Sequence, residues 1–243
     1  MTRALLDQHS YAKGSFLAYA QPWSTFPGGR CASLKRGTDY LDTITVNEAT
    51  FPAGSTIRHF WPMQAAGAPP CGYNFITWGK YDGTDPAVPV PTRLMSDVST
   101  LAIAIDLSWA ALAGDFNLLV ECFAFADKAG TQKVAEIGFF PHAPAATAAY
   151  VKAGRRVGIF TDASGIAWLC GVQPGPAGPY YMFVTANGTD VPKGRIAMGA
   201  AIAWLIANGE LTGREWFTGL ALGTEPLGGS AIVFVNALSV DAR

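Results

Sequence analysis

Charge is scarce in this chain. Asp, Glu, Lys and Arg make up 14% of the 243 residues, and their signs nearly cancel to a net charge of -1. A surface without basic excess has no electrostatic footprint for a phosphate backbone or an anionic lipid surface, so neither a nucleic acid nor a membrane is an expected partner. No apolar run reaches the roughly 18 residues that span a bilayer. The opening "MTRALLDQHSYAKGS" lacks the apolar segment of a secretory signal. The expectation is a soluble chain, cytoplasmic or virion-associated, or secreted if a leader has been removed. His9, His59 and His142 are far apart, and Cys31, Cys71, Cys122 and Cys170 show no C-x-x-C spacing, so no metal site is expected. The cysteines read as buried small hydrophobes or one disulfide. Neither a G-x-S-x-G elbow nor a phosphate-binding Gly-Lys loop occurs, and no organic cofactor is implied.

What is abundant is β-strand material cut by turns. The 27 Gly and 16 Pro punctuate short β-branched and aromatic runs, the pattern of a many-stranded sandwich. These runs include "SFLAYAQ", "DTITVNEATF", "YNFITWGKY", "TLAIAIDLSW", "DFNLLVECFAFA", "RVGIFT", "IAWLCGV", "YYMFVTA" and "SAIVFVNALSV". With no repeat or charge run, residues 1–243 read as a single domain. Residues 65–72 and 141–149 read as long loops. Residues 194–210 form the one predicted helix, apolar nearly all round and ending at Asn208-Gly209, a C-cap pair.

Three acids stand alone in apolar strands. In "DFNLLVECFAFA", alternation places Asn117, Leu119, Glu121, Phe123 and Phe125 on one face and Leu118, Val120, Cys122 and Ala124 on the other. The first set has the composition of a cleft floor. Asp106 lies in "LAIAIDLSWA" and Glu225 in "LALGTEPLGGSAIVF". If "WAALAGDF" turns the chain between neighbouring strands, Asp106 and Glu121 meet across the ladder. Paired carboxylates in a cleft suit glycoside chemistry, in which one attacks the anomeric carbon and the other, with its pKa raised, protonates the leaving oxygen. The 7 Trp and 8 Tyr supply flat faces for sugars, though aromatics also fill cores.

The segment "GTEPLGGSAIVFVNALSV" resembles the acid/base strand of glycoside hydrolase family 12, the jelly-roll endoglucanases and xyloglucanases, whose pattern reads G-T-E-P-F-x-G before a last strand. The preceding "AIAWLIANGELTGREWFTGLA" reproduces the family's helix and turn. "ECFAFADKAG" is similar to the nucleophile motif E-[LI]-M-I-W with its lysine and glycine turn, placing Glu121 at the glutamate, Phe125 at the tryptophan, and Lys128 and Gly130 at the turn. "AIDL" around Asp106 resembles the upstream A-Y-D-L. "LDQHSYAKGSFLAYAQPWS" resembles the opening strands, with Trp23 at a sugar-platform tryptophan and Leu6 where the family has cysteine, which leaves Cys31 without its usual partner. An alternative register matches "DFNLLV" to D-Y-E-L-M-I and puts Asn117 at the nucleophile's place. It shortens the interval to the aspartate (117 − 106 = 11 against 121 − 106 = 15) and loses the Lys128 and Gly130 match.

The resemblance implies an all-β jelly-roll sandwich of two antiparallel sheets with one helix on the convex side, and a retaining endo-acting hydrolase of a β-linked glucan: cellulose, xyloglucan or a mixed-linkage polymer. Glu121 would be nucleophile, Glu225 acid and base, and Asp106 the group that tunes Glu121. Trp23, Phe123, Phe125 and Trp78 would contact the polysaccharide. Loss of the family's polar cleft residues supports a competing expectation, a non-catalytic glycan-binding or structural jelly roll.

Overall fold

The computed structural model describes residues 1–65 and 68–242. Positions 66 and 67, inside the expected 65–72 loop, lie outside the described residues. The strands are β1 (Thr2–Leu5), β2 (Ser10–Lys13), β3 (Phe16–Gln21), β4 (Leu41–Asn47), β5 (Ser55–Trp61), β6 (Tyr73–Gly79), β7 (Arg93–Leu94), β8 (Ala102–Phe125), β9 (Lys133–His142), β10 (Arg155–Thr161), β11 (Ala167–Gly175), β12 (Gly178–Thr185), β13 (Lys193–Ile196), β14 (Trp216–Phe217) and β15 (Gly219–Asp241). The helices are α1 (Ala145–Ala153) and α2 (Met198–Ala207).

The architecture is the β-jelly-roll sandwich, assembled around two very long strands. β8 and β15 pair antiparallel along almost their whole length, from Leu220 opposite Cys122 to Asp241 opposite Ala102. One half of the pair belongs to the outer layer, where β15 pairs β5 and β8 pairs β13. The other half belongs to the inner layer, ordered β3-β6-β15-β8-β9-β12-β11-β10. The pair bends between the layers at Gly114, Gly228 and Gly229, which all have positive φ (71°, 133° and 86°). A Cβ on Gly114 would lie 2.2 Å from the Gly228 carbonyl oxygen, and one on Gly229 would lie 1.9 Å from that of Ala113. Only glycine fits this crossing.

Alternation then sorts the side chains as expected. Leu118, Val120, Cys122 and Ala124 lie in the core between the layers, together with Ile44, Ile57 and Leu222. Leu119, Phe123 and Phe125 join Tyr73, Phe75 and Met182 in a second apolar cluster on the concave face. α2 closes the main core with Ala201, Ile202 and Leu205. It is shorter than the predicted 194–210 because Gly194 to Ile196 pair with β8. At the other end Asn208 and the left-handed Gly209 (φ 72°) terminate it.

Three sequence-based expectations need correction. "WAALAGDF" is not a turn between strands but the middle of β8, because Gly114 bends the chain without reversing it. The 141–149 region is not a loop. Pro144 immediately precedes the first turn, where a missing N–H costs nothing, and the alanine-rich run after it is strongly helical. This second helix lies on the concave side, with Val151 buried in the concave-face cluster. Finally, β9 and β12 pair in parallel, since α1, β10 and β11 intervene as a long crossover.

Placing alanine at Gly229 forces a Cβ into a carbonyl at positive φ, and should cost about 2–4 kcal/mol. Urea denaturation measures this. A loss below about 0.5 kcal/mol, the range of neutral surface changes, would contradict the crossing geometry.

Candidate active site

The inner layer lines a cavity of about 460 Å³ whose walls include Glu121, Glu136 and Glu225. Glu121 on β8 sits opposite Gly138 of β9, two ladder positions from Glu136, which sits opposite Phe123. Glu225 comes from β15. All three share the concave face because Glu225 pairs with Asn117 and Glu136 with Phe123, and both partners are in phase with Glu121 on β8.

Glu121 is almost fully buried at 4% exposure. Its carboxylate accepts from the Tyr81 hydroxyl on Oε1 and from the Tyr180 hydroxyl on Oε2 at 3.3 Å. Tyr180 can lie over the floor because position 138 beneath it is glycine, where a Cβ would meet its hydroxyl at 2.6 Å. Tyr73 lies over Gly223 in the same way, where a Cβ would be 2.5 Å from the ring. Tyr81 stacks on Phe123 with centroids 5.3 Å apart. The floor is thus a tyrosine sheet laid on glycines, with one carboxyl in its centre.

Burial drives the Glu121 pKa well above the ordinary carboxyl range, the nearby Glu136 charge and hydrogen bond raise it further, and the tyrosine donors oppose. Burial likewise pushes Glu136 up to about 7, with its hydrogen bond to Glu121 opposing. The two titrate as a pair, in which Glu121 holds its proton to the higher pH and Glu136 loses its own through neutrality. Glu225 is raised to about 8, first by burial and then by the charge of Glu121, while the Asn117 amide opposes. Glu225 therefore keeps its proton to a higher pH than Glu136, the order of protonation that acid–base chemistry requires.

The residue directly opposite Glu225 in the ladder is Asn117, not Glu121. Glu121 pairs with Ala221, four residues further along. Asn117 Nδ2 donates to Glu225 Oε2 at 3.0 Å, and Asn117 Oδ1 accepts from Thr147 Oγ1 at 2.6 Å. Alternation could not separate these registers, because Asn117 and Glu121 occupy the same face.

Asp106 is nowhere near the cavity. It lies in the outer-layer half of β8, 15 residues or roughly 50 Å of extended strand from Glu121. It pairs there with Lys193 at 2.6 Å and accepts from Asn236 at 3.3 Å. Trp23 lines the cavity at 39% exposure, and Phe123 floors it. Phe125 is buried in the concave-face cluster against Trp216 without lining the cavity. Trp78 falls on the opposite face of β6 and packs against the main core.

Glu136, Tyr73, Tyr81 and Tyr180 were not singled out from the sequence. Glu136 carried a signal of the same kind as Glu121, a lone acid in "KVAEIGFF". A fourth buried acid, Asp42, accepts from Trp61 Nε1 at 2.9 Å and Asn74 Nδ2 at 2.6 Å behind the floor, and burial raises it to about 7. Cys31 does have a partner, Cys71. Near this bond the Ser24 amide donates to the Cys71 carbonyl at 3.0 Å, which fixes the loop carrying Trp23. Among the described residues no group of three or more His, Cys, Asp or Glu is placed to hold a metal ion.

No family model and no curated protein matches the chain. Solved structures do. The Trichoderma harzianum endoglucanase 3 from family 12 superposes with a TM-score of 0.75 at 15% identity, over 100% of this chain and 98% of that one. A Bacillus licheniformis family 12 xyloglucanase in complex with ligand gives 0.77 at 14%, over the whole of both chains. The catalytic domain of Humicola grisea Cel12A, in complex with a soaked thio cellotetraose, gives 0.75 at 13%, over 99% of each. The likeness spans the full length, and at these identities it is a likeness of fold.

A carboxyl whose pKa is raised by folding contributes stability that is complete below its unfolded value and is lost as pH rises through its folded value. For Glu225 that window runs from 4.5 to about 8. Glu225→Gln should therefore melt with the wild type at pH 4 and above it at pH 8, by differential scanning calorimetry. Parallel pH profiles for the two proteins would contradict a buried, protonated Glu225.

Proposed function

We propose that the cavity binds a β-linked glucan and hydrolyses it, with Glu225 as proton donor and the Glu121–Glu136 pair as the anionic partner. The carrying observation is the set of three carboxyl groups, of Glu121, Glu136 and Glu225, on one tyrosine-lined floor. A cleft that only binds sugar has no use for carboxyls with divergent protonation. The proteins that share the fold, named as endoglucanases and xyloglucanases, support the same substrate class.

Glu225 gives its proton to the glycosidic oxygen as the bond to the anomeric carbon breaks. Retention would require the second carboxyl within about 5–5.5 Å to attack that carbon. With Asn117 in the facing position and Glu121 four residues along, the arrangement instead favours a water between them. The water attacks from the opposite face and its proton passes to the Glu121–Glu136 pair, giving inversion. Tyr81 and Tyr180 hold Glu121 in place, and Trp23 and Phe123 supply the sugar platforms.

The hydrogen bond from Asn117 to Glu225 favours a second reading, a glycan-binding protein without turnover. Reducing-end release from cellulosic, xyloglucan and mixed-linkage substrates separates the two. The expected result is cleavage by the wild type, lowered about 10²–10⁴-fold in Glu225→Gln and in Glu136→Gln, with the product anomer inverted by NMR. Glycan binding without release of any reducing end would establish the second reading. A retained anomer would restore Glu121 as nucleophile.

A further inference from the structure

The walls of the cavity are rich in hydrogen-bond acceptors and poor in donors. Glu121, Glu136, Glu225 and Asp82 line it against a single cation, Lys133. The Lys133 ammonium donates to Asp82. Among the described residues none of the three glutamates forms an ion pair. The hydroxyl donors are engaged as well: Tyr81 donates to Glu121, Tyr73 to the Leu119 carbonyl at 3.4 Å, and Thr131 to Asp127 at 3.1 Å. The Gln21 amide and the Trp23 indole N–H remain for a ligand. A neutral glucan needs donors as well as acceptors, since each of its hydroxyls is both. These walls offer it mostly acceptors.

The floor beside the carboxyls is aromatic. Tyr81 stacks on Phe123 with centroids 5.3 Å apart, and Tyr73 meets Tyr81 edge-on at 6.3 Å. The faces of such rings attract cations, most strongly where water is excluded. The protein already uses this floor in that way. The Lys133 ammonium sits 3.8 Å from the Phe123 centroid, with the Asp82 carboxylate beside it. Tyr73 and Tyr81 with Glu121 and Glu136 repeat that pairing of ring and carboxyl on the same floor, with no second cation from the cavity walls. Glu136 is the carboxyl placed to act as counter-ion. It sits directly opposite Phe123 in the ladder, so its side chain stands beside the ring that holds Lys133, and Glu225 is left to the glycosidic oxygen.

We propose that the cavity recognises a β-linked glycan bearing free amino groups, a glucosamine oligomer or polymer, in preference to a neutral glucan, with the sugar ammonium seated on the tyrosine floor against Glu136. The inference rests on the glycan reading above and specifies the substituent. An ammonium brings three donors, a positive charge and no acceptor, which is the complement of these walls.

The test is calorimetric titration at pH 7 with three β-1,4-linked tetrasaccharides, of glucosamine, of N-acetylglucosamine and of glucose. They share a backbone and differ in carrying an ammonium, a neutral amide or a hydroxyl. Glu225→Gln serves as the non-cleaving form, alone and combined with Glu136→Gln. The glucosamine oligomer should bind at least about tenfold more tightly than the other two. Adding Glu136→Gln should remove most of that preference while the glucose oligomer binds as before. A preference that survives Glu136→Gln would overturn the assignment, because the charge would then be read elsewhere on the protein. Equal or tighter binding of the glucose oligomer in Glu225→Gln would overturn amine recognition and leave the glycan reading intact. Binding of none of the three would overturn both.

Discussion

The antiparallel ladder between β8 and β15, bent where Gly114 crosses Gly228 and Gly229, is the constraint on which the rest of the molecule depends. It lets two strands serve both layers, so the concave floor and the convex cover are parts of one hydrogen-bonded network. The bend also places Glu225 three residues before Gly228, at the start of the curve where β15 turns into the floor. Sheets curve sharply only where a bulge or a glycine permits it, and this crossing supplies both. The same economy recurs on the floor, where Gly138 and Gly223 allow tyrosine rings to lie flat beside the carboxyls.

Three acids in a low-dielectric cleft are costly to ionise, and the site resolves the cost by unequal protonation. Glu121 holds its proton under tyrosine hydroxyls to the higher pH, Glu136 loses its own through neutrality, and Glu225 keeps its own beside an amide. An exposed floor would have left all three ionised and equivalent. Burial under aromatic rings makes one an acid and leaves the pair a base, and α1 contributes by covering Asn117.

Much of this was legible in the residues. Period-two alternation sorted the faces of "DFNLLVECFAF" correctly, Asn208-Gly209 marked a helix end, and the lone glutamates 121 and 225 lie on one cleft. What alternation could not yield was register, since Asn117, Leu119 and Glu121 are equivalent under a period of two. It also could not tell a glycine bend from a turn, and so Asp106 was brought across a ladder that does not exist. α1 was hidden by its prolines, which sit before the helix rather than within it. Trp78 has a residue type that suits a sugar, but its phase on β6 sends it to the core. Glu136 lies in a strand whose bounds, between the Asp127–Gln132 turn and Pro141, carry little β-branched signal.

The central claim is the unequal protonation of three neighbouring glutamates, and the direct measurement is a pH titration of glutamate side-chain carboxyl carbons by NMR, assigned with Gln substitutions at 121, 136 and 225. Glu225 should titrate near 8 and Glu136 near 7, with Glu121 still protonated when Glu136 has lost its proton. Three independent titrations close to the ordinary value of 4.5 would contradict it.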